Sequence, residues 1–236
     1  MSKQVPISIS KEIFEIATGY RRAVVIAFGI KNGPSSDELK QRLREQEEQT
    51  RKSVTVEDER LVAWREAFHA AGIKPNKFRP SVDALTRRVL NGNDLPSIST
   101  LVDIGTILSL RHVLPCGAHS LNEVEDGLTL RKASGSETFT PFGSEENELI
   151  APCEVVFVDG NKVATSKWAW RQAVHTIIRP ETTAFELNID ALSVISDETL
   201  QSIVSDAQEL IKRFLGVESS VITLTADNPA QVISIE

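Results

Sequence analysis

Hydrophobic and polar residues alternate from the start of the chain. Val5, Ile7 and Ile9 stand between Pro6, Ser8 and Ser10, the period-two pattern of a half-buried strand. Ser10 predicts a short capped helix through Thr18, closed by Gly19. Ala23 to Ile30 is an apolar run rich in β-branched residues, which predicts a buried strand ended by Gly33-Pro34. Ser35-Ser36-Asp37-Glu38 forms a capping box and opens a highly charged, solvated helix to about Lys52. From Val56 to Ala71 the apolar residues Leu61, Trp64, Phe68 and Ala71 share one helical stripe, stopped by Gly72. Ser81 to Leu90 turns Val82, Leu85 and Val89 inward before Asn91-Gly92, and Ser99 to His112 repeats the pattern through Leu101, Ile104 and Leu108.

The second half changes period. Leu128 and Leu130 mark a short strand before a Ser/Gly/Thr-rich loop at 134–142. Val155 to Val158, Asp159-Gly160-Asn161 and Val163 onward predict a β-hairpin, and Ala184 to Ile189 a further alternating strand. Ser196 caps a long helix carrying Leu200, Ile203, Val204, Ala207, Leu210, Ile211 and Phe214, which Gly216 ends; Val221 to Leu224 is a late strand. No repeat and no linker breaks the pattern. A single domain over 1–236 is expected, with 147–152 as the one place where it divides into subdomains.

Composition adds limits. Of 236 residues, 41% are hydrophobic and 25% charged, the balance of a globular protein with ample core. The longest apolar run, Ala23 to Phe28, is far short of a membrane span. The first residues contain no apolar signal core, and two cysteines make no disulfide framework. A cytoplasmic protein without a membrane partner is expected. The net charge of -7 opposes non-specific nucleic-acid binding but leaves room for a local basic face. Lys74, Lys77, Arg79, Arg87 and Arg88 cluster, and Lys167 and Arg171 follow. They read either as a solvated helix surface or as a phosphate-docking face.

Common catalytic templates fail: there is no Gly-rich phosphate loop, Gly-x-Ser-x-Gly elbow or His-Glu-x-x-His. Two cysteines and four histidines are too sparse for a metal site, so neither metal nor cofactor is expected. Two stretches stand out. Residues 110–120, Leu-Arg-His-Val-Leu-Pro-Cys-Gly-Ala-His-Ser, place Cys116 three residues from His119, as a nucleophile with its base or as a packed turn. In residues 166–172, Ser-Lys-Trp-Ala-Trp-Arg-Gln, a strand would turn Trp168 and Trp170 to one side. That side is core, or a platform for a base or aromatic amino acid with Arg171 pairing a phosphate or carboxylate.

In order, Trp64-Arg65-Glu66-Ala67-Phe68, Gly72-Ile73-Lys74-Pro75, Lys77-Phe78-Arg79-Pro80-Ser81, Leu85, Arg88-Val89, Leu95-Pro96 and Leu101-Val102-Asp103-Ile104 form a pattern. The Ser109-Leu110 to Pro115-Cys116-Gly117 run, Trp168-Ala169-Trp170-Arg171-Gln172 and Thr182 complete it. Together they resemble a free-standing B3/B4 domain, the editing module of the phenylalanyl-tRNA synthetase beta subunit, over about Ser8 to Gly216. The resemblance implies an α+β fold, with a helix-rich first half and a strand-rich second half, helices packing on a mixed β-sandwich-like sheet. It also implies hydrolysis of the ester of a mischarged aminoacyl-tRNA, with the tRNA acceptor end and an amino-acid moiety as partners.

In that family an Asp-Val-Thr-Asn run and a downstream Pro-x-His-Ala help line the pocket. Aligned on Asp103 and Pro115, the Thr and Asn fall on Gly105 and Thr106, the His on Gly117, and a pocket glutamate near Val174 or His175. Spacing is kept while polar groups change, which implies altered specificity or binding without catalysis. By this resemblance Thr106, His119 and His175 position water or the amino group, and backbone N–H groups around Gly117 meet the oxyanion. Asp103, Pro115, Trp168 and Arg171 shape the substrate pocket, and Lys77 and Arg79, with Arg171, meet tRNA phosphates. The rival expectation is a non-catalytic module binding an amino acid, its derivative or RNA.

Overall fold

The computed structural model describes residues 3–235. In chain order it contains strand β1 (Lys3–Ile9), helix α1 (Lys11–Ile16), β2 (Arg21–Phe28), and helices α2 (Asp37–Ser53), α3 (Glu59–Ala70), α4 (Ser81–Leu90) and α5 (Thr100–His112). Strands β3 (Cys116–Ser120), β4 (Leu128–Lys132), β5 (Thr138–Phe139), β6 (Glu148–Leu149), β7 (Val155–Asp159), β8 (Lys162–Ser166) and β9 (Arg171–Gln172) follow. After a 3-10 turn at Val174–Thr176 come β10 (Ala184–Ala191), α6 (Asp197–Leu215), β11 (Ser220–Leu224) and β12 (Ala230–Ile235).

These elements make three layers. The smaller sheet runs β11-β2-β10-β3; the larger runs β12-β1-β4-β7-β8-β5-β6, with β9 on β8. Successive side chains of a strand point to opposite faces, so β2 divides its apolar residues. Ala23, Val25 and Ala27 meet Leu39 and Leu43 of α2, Leu101, Ile104 and Leu108 of α5, and Ile203 and Leu210 of α6. Val24 and Ile26 belong instead to the cluster with Ile7, Leu130 and Phe157 of the larger sheet and Leu61, Trp64 and Phe68 of α3. The helix–sheet–sheet stack is the α+β, sandwich-like architecture that the sequence implies. Helix boundaries follow side-chain chemistry: Ser36 accepts from the Leu39 N–H at 3.2 Å, Ser196 accepts from the Thr199 N–H at 3.1 Å, and Gly216 closes α6 at φ 71°.

Three segments differ from expectation. Residues 116–120 are not a turn but β3, paired with β10 from Cys116↔Ile189 to Ser120↔Phe185. Val113, left-handed at φ 53°, ends α5 and sends the chain through Pro115 into that pairing. A five-residue strand with Gly117 as its second residue carries too little alternation to be seen locally. The expected strand through Trp168 and Trp170 does not form: pairing stops at Ser166 and resumes only at Arg171–Gln172. Lys167 (φ 50°) and Trp168 (φ 65°) are both left-handed, so the chain coils and the two tryptophans do not share a strand face. Strand β12, unseen in the sequence, pairs with β1 from the far end of the chain, a contact that local pattern cannot announce.

Candidate functional site

A cavity of about 410 Å3 lies where the first half of α5, β3 and the 167–173 segment meet, a size suited to a small ligand or the end of a larger one. Leu101, Val102, Gly105 and Thr106 of α5 form one wall; Trp168, Trp170, Ile177 and Ile178 form another. Ile98 and Phe142 line it while remaining 64% and 62% exposed, and so mark its mouth. Gly105 packs against the sheet, where a Cβ would make ordinary contact with Leu187 at 3.6 Å and the Cys116 carbonyl at 3.8 Å.

The floor is polar because β10 has two kinds of buried face. All eight of its residues are buried, and Glu186, Asn188 and Asp190 alternate with Phe185, Leu187 and Ile189. The apolar set meets the helices, leaving the polar set between the sheets. Asp190 accepts from Arg22 Nε at 2.6 Å and Nη2 at 2.9 Å, and from the Tyr20 hydroxyl at 2.6 Å. Burial opposes the Arg22 charge, but Asp190 outweighs it and holds the guanidinium pKa up; burial pushes the Tyr20 phenol up as well. Arg22 also lies 4.5 Å over the Phe157 ring, and its Nη1, though buried, has no partner among the described residues.

His119 stands beside this pair, its ring 5.2 Å from that of Phe157. Its Nδ1 donates to Glu186 Oε1, and its Nε2 lies 2.8 Å from Thr165 Oγ1. A carboxylate on Nδ1 assigns the proton to that nitrogen, leaving Nε2 to accept from the threonine hydroxyl. Asn188 Nδ2 donates to the same Glu186 oxygen at 3.2 Å. Gly117 preserves the arrangement: a Cβ there would fall 3.3 Å from Asn188 Oδ1. Gln172 Nε2 donates to the Ala118 and Thr176 carbonyls, both at 2.9 Å, and clips the 167–173 segment to β3.

The structure brings Thr106, Pro115, Gly117, His119, Trp168 and Arg171 around one cavity. Thr106 donates its hydroxyl to the Val102 carbonyl at 2.9 Å. Trp168 packs mainly into the aromatic core, 5.3 Å from Tyr20 and 5.5 Å from Trp64, while Trp170 lies against Phe78 at 4.8 Å. Asp103 is not in this set. Fully buried, it accepts from Ser35 Oγ at 2.6 Å, from the Ile98 N–H at 2.9 Å and from Ser97 Oγ, and so fixes the entry to α5. His175 is also outside the set: the 3-10 turn carries it away, its Nε2 is buried without a partner among the described residues, and burial pushes its pKa down. Cys116 faces the helix-side core, opposite His119 on β3, where burial pushes its thiol up. They form no nucleophile–base pair.

The basic cluster divides. Arg79 lies 3.9 Å from Asp83, which also receives Arg65 and Arg87, so these arginines serve a helix-surface network. Beside the mouth, cations and rings alternate. Lys77 Nζ lies 5.1 Å from the Phe78 ring, Lys167 Nζ lies 4.5 Å from Phe78 and 5.0 Å from Trp170, and Arg171 lies 6.0 Å from Trp170. Sequence reasoning missed Arg22, Thr165, Gln172, Glu186, Asn188 and Asp190. The available signal was slight: Glu186 lies within a predicted strand, and Asp190 and Arg22 each stand one residue beyond the end of one.

Two sheets backed by helices thus enclose a largely apolar cavity over a buried imidazole, carboxylates and a guanidinium. The family model of the B3/4 domain matches residues 63–233, and the chain belongs to that family. Among solved structures it is similar to the crystal structure of an N-terminal fragment of the phenylalanyl-tRNA synthetase beta-subunit from Pyrococcus horikoshii, at 10% identity and a TM-score of 0.49. That likeness covers 94% of this chain and 54% of the fragment, so the chain spans about half of the fragment's length. No curated protein matches the chain significantly. Among the described residues, no helix is long and apolar enough to cross a membrane.

Proposed function

We propose that the chain takes the aminoacyl end of a tRNA into this cavity and hydrolyses, in trans, the ester of mischarged species. The observation that carries this reading is the Glu186–His119–Thr165 chain of hydrogen bonds in the floor of a largely apolar cavity. Ester hydrolysis needs an oriented base, donors for the developing oxyanion and a compartment that sorts side chains. His119 supplies the base, and its Nδ1–H is held by Glu186. The Arg22 guanidinium, whose Nη1 has no partner among the described residues, is the candidate oxyanion donor, because the Cys116 N–H is taken by Ser109 Oγ and β3 is paired with β10 at Gly117; Asp190 offers a negative partner for an α-ammonium group. Leu101, Val102, Gly105, Thr106 and Trp168 surround the side chain of the bound amino acid.

The alternating cations and rings at Lys77, Phe78, Lys167, Trp170 and Arg171 support a nucleic-acid end at the mouth, because bases stack on rings while cations follow phosphates. Membership of the B3/4 family, which the sequence likens to synthetase editing modules, agrees with this partner. The net charge of -7 favours a second reading, a pocket that binds an amino acid or its derivative without cutting anything. A panel of correctly and incorrectly charged tRNAs, followed by loss of esterified amino acid, separates the two. Faster loss from one mischarged class supports the hydrolase. Binding without loss supports the module, and neither binding nor loss overturns both.

A further inference from the structure

The hydroxyl of Thr165 is placed against His119 by a departure from regular strand geometry. Across the β7–β8 hairpin, Asp159 pairs with Lys162 and Val158 with Val163, but Phe157 pairs with Thr165, so Ala164 is an inserted residue. Val158 and Val163 face the outer cluster of the larger sheet. Strict alternation would put Thr165 there too. The bulge turns it instead to the inter-sheet side with Phe157, where it lines the cavity 2.8 Å from His119 Nε2.

Two further features exceed what packing requires. Glu186 is fully buried, with Oε2 unpartnered among the described residues, an expensive place for a carboxylate whose visible service is to hold His119 Nδ1–H. Arg22 is 2% exposed and lines the same cavity, and its Nη1 is likewise without a partner among the described residues. Immediately after Thr165-Ser166, Lys167 and Trp168 hold consecutive left-handed conformations, a strain that persists where the surroundings enforce it.

We propose that Thr165 is the nucleophile of an acyl-threonine route, with His119 as its base, Glu186 as the positioning residue and Arg22 as a donor to the oxyanion. This rests on the ester-hydrolase reading above and states how the ester is cut. Thr165 Oγ bonds to the ester carbonyl carbon as its proton passes to His119 Nε2, and Arg22 Nη1 donates to the oxyanion. Collapse breaks the bond from the carbonyl carbon to the ribose oxygen, which leaves with the proton from His119 Nε2. Water then gives a proton to His119 Nε2 while its oxygen bonds to the carbonyl carbon. Thr165 Oγ departs and regains that proton, releasing the free amino acid. Throughout, Glu186 holds Nδ1–H and offsets the imidazolium charge without taking the proton.

A fluorophosphonate probe tests the nucleophile without knowledge of the amino acid. Thr165 Oγ would bond to phosphorus, fluoride would leave, and His119 would take the proton. The expected result is a mass gain on the peptide Val163–Lys167, assigned to Thr165 and retained at the same position in Thr165→Ser. Labelling should slow by about 100-fold or more in His119→Gln and vanish in Thr165→Val. Near-ultraviolet circular dichroism confirms that each variant is folded. An unlabelled wild type, a label on another residue, or labelling indifferent to His119 overturns the proposal. Mischarged tRNA hydrolysed at wild-type speed by Thr165→Val would remove Thr165 and leave the hydrolase standing. A labelled Thr165 in a protein that leaves every tRNA ester intact would support the nucleophile and remove the tRNA reading.

Discussion

Strand β10 offers a comparison within eight residues. Its helix-side face carries Phe185, Leu187, Ile189 and Ala191; its sheet-side face carries Glu186, Asn188 and Asp190. All seven are at most 5% exposed, so burial does not distinguish them. Chemistry does. The apolar face gains stability by leaving water, as does the helix stripe that covers it. The polar face must recover its desolvation cost through Arg22, Tyr20 and His119, and well-packed apolar residues would serve stability as well or better. The lesson is that the face which packing alone would not select is the one facing the cavity.

Breaking the polar face should give the largest effect. Asp190→Ala leaves Arg22 buried without its carboxylate and removes the acceptor of the Tyr20 hydroxyl, so urea unfolding should show a loss of about 3–5 kcal/mol. Replacing both partners sharpens the comparison: Arg22→Met with Asp190→Leu should recover most of that loss, to within about 1.5 kcal/mol of wild type, while ligand binding disappears. One residue away on the apolar face, Ile189→Val should cost only about 0.5–1.5 kcal/mol and leave ligand binding unchanged. Outside both faces, Lys77→Ala with Arg171→Ala should shift stability by no more than about 0.5 kcal/mol. In a salt titration of tRNA binding, the same pair should flatten the log–log slope by about 0.7 for each lost phosphate contact.

The smallest effect is the pH response of His175. Burial holds its folded pKa below the ordinary histidine value of 6.5, so the unfolded chain binds more protons as pH falls below that value. The stability it contributes is fully present above pH 6.5 and is lost as pH falls through the lowered folded pKa. His175→Gln should therefore flatten the decline of the urea midpoint over that acidic window and leave deacylation unchanged.

The fold was largely legible because its signals are local. Ser36 and Ser196 cap where their side chains predict, and the stripes of α3, α5 and α6 point at the core. The cavity was half legible. The spacing from Asp103 to Gly117 put Thr106, Pro115 and His119 near one another, since a helix followed by a strand preserves that span. The spacing from Trp168 to His175 failed, because two left-handed residues and a 3-10 turn replace the strand on which it depended. The floor was hidden for a different reason. Arg22, Thr165, Glu186 and Asp190 come from three strands far apart in sequence, and their meeting follows from sheet pairing and one bulge.

Whether the polar face does chemistry is tested most directly by the rate of ester loss from a mischarged tRNA, with wild type and His119→Gln compared at equal occupancy. The variant should still fold and bind the tRNA while hydrolysis falls by about 100-fold or more, the scale of a lost general base. Equal rates from the two proteins would contradict a catalytic role for that face.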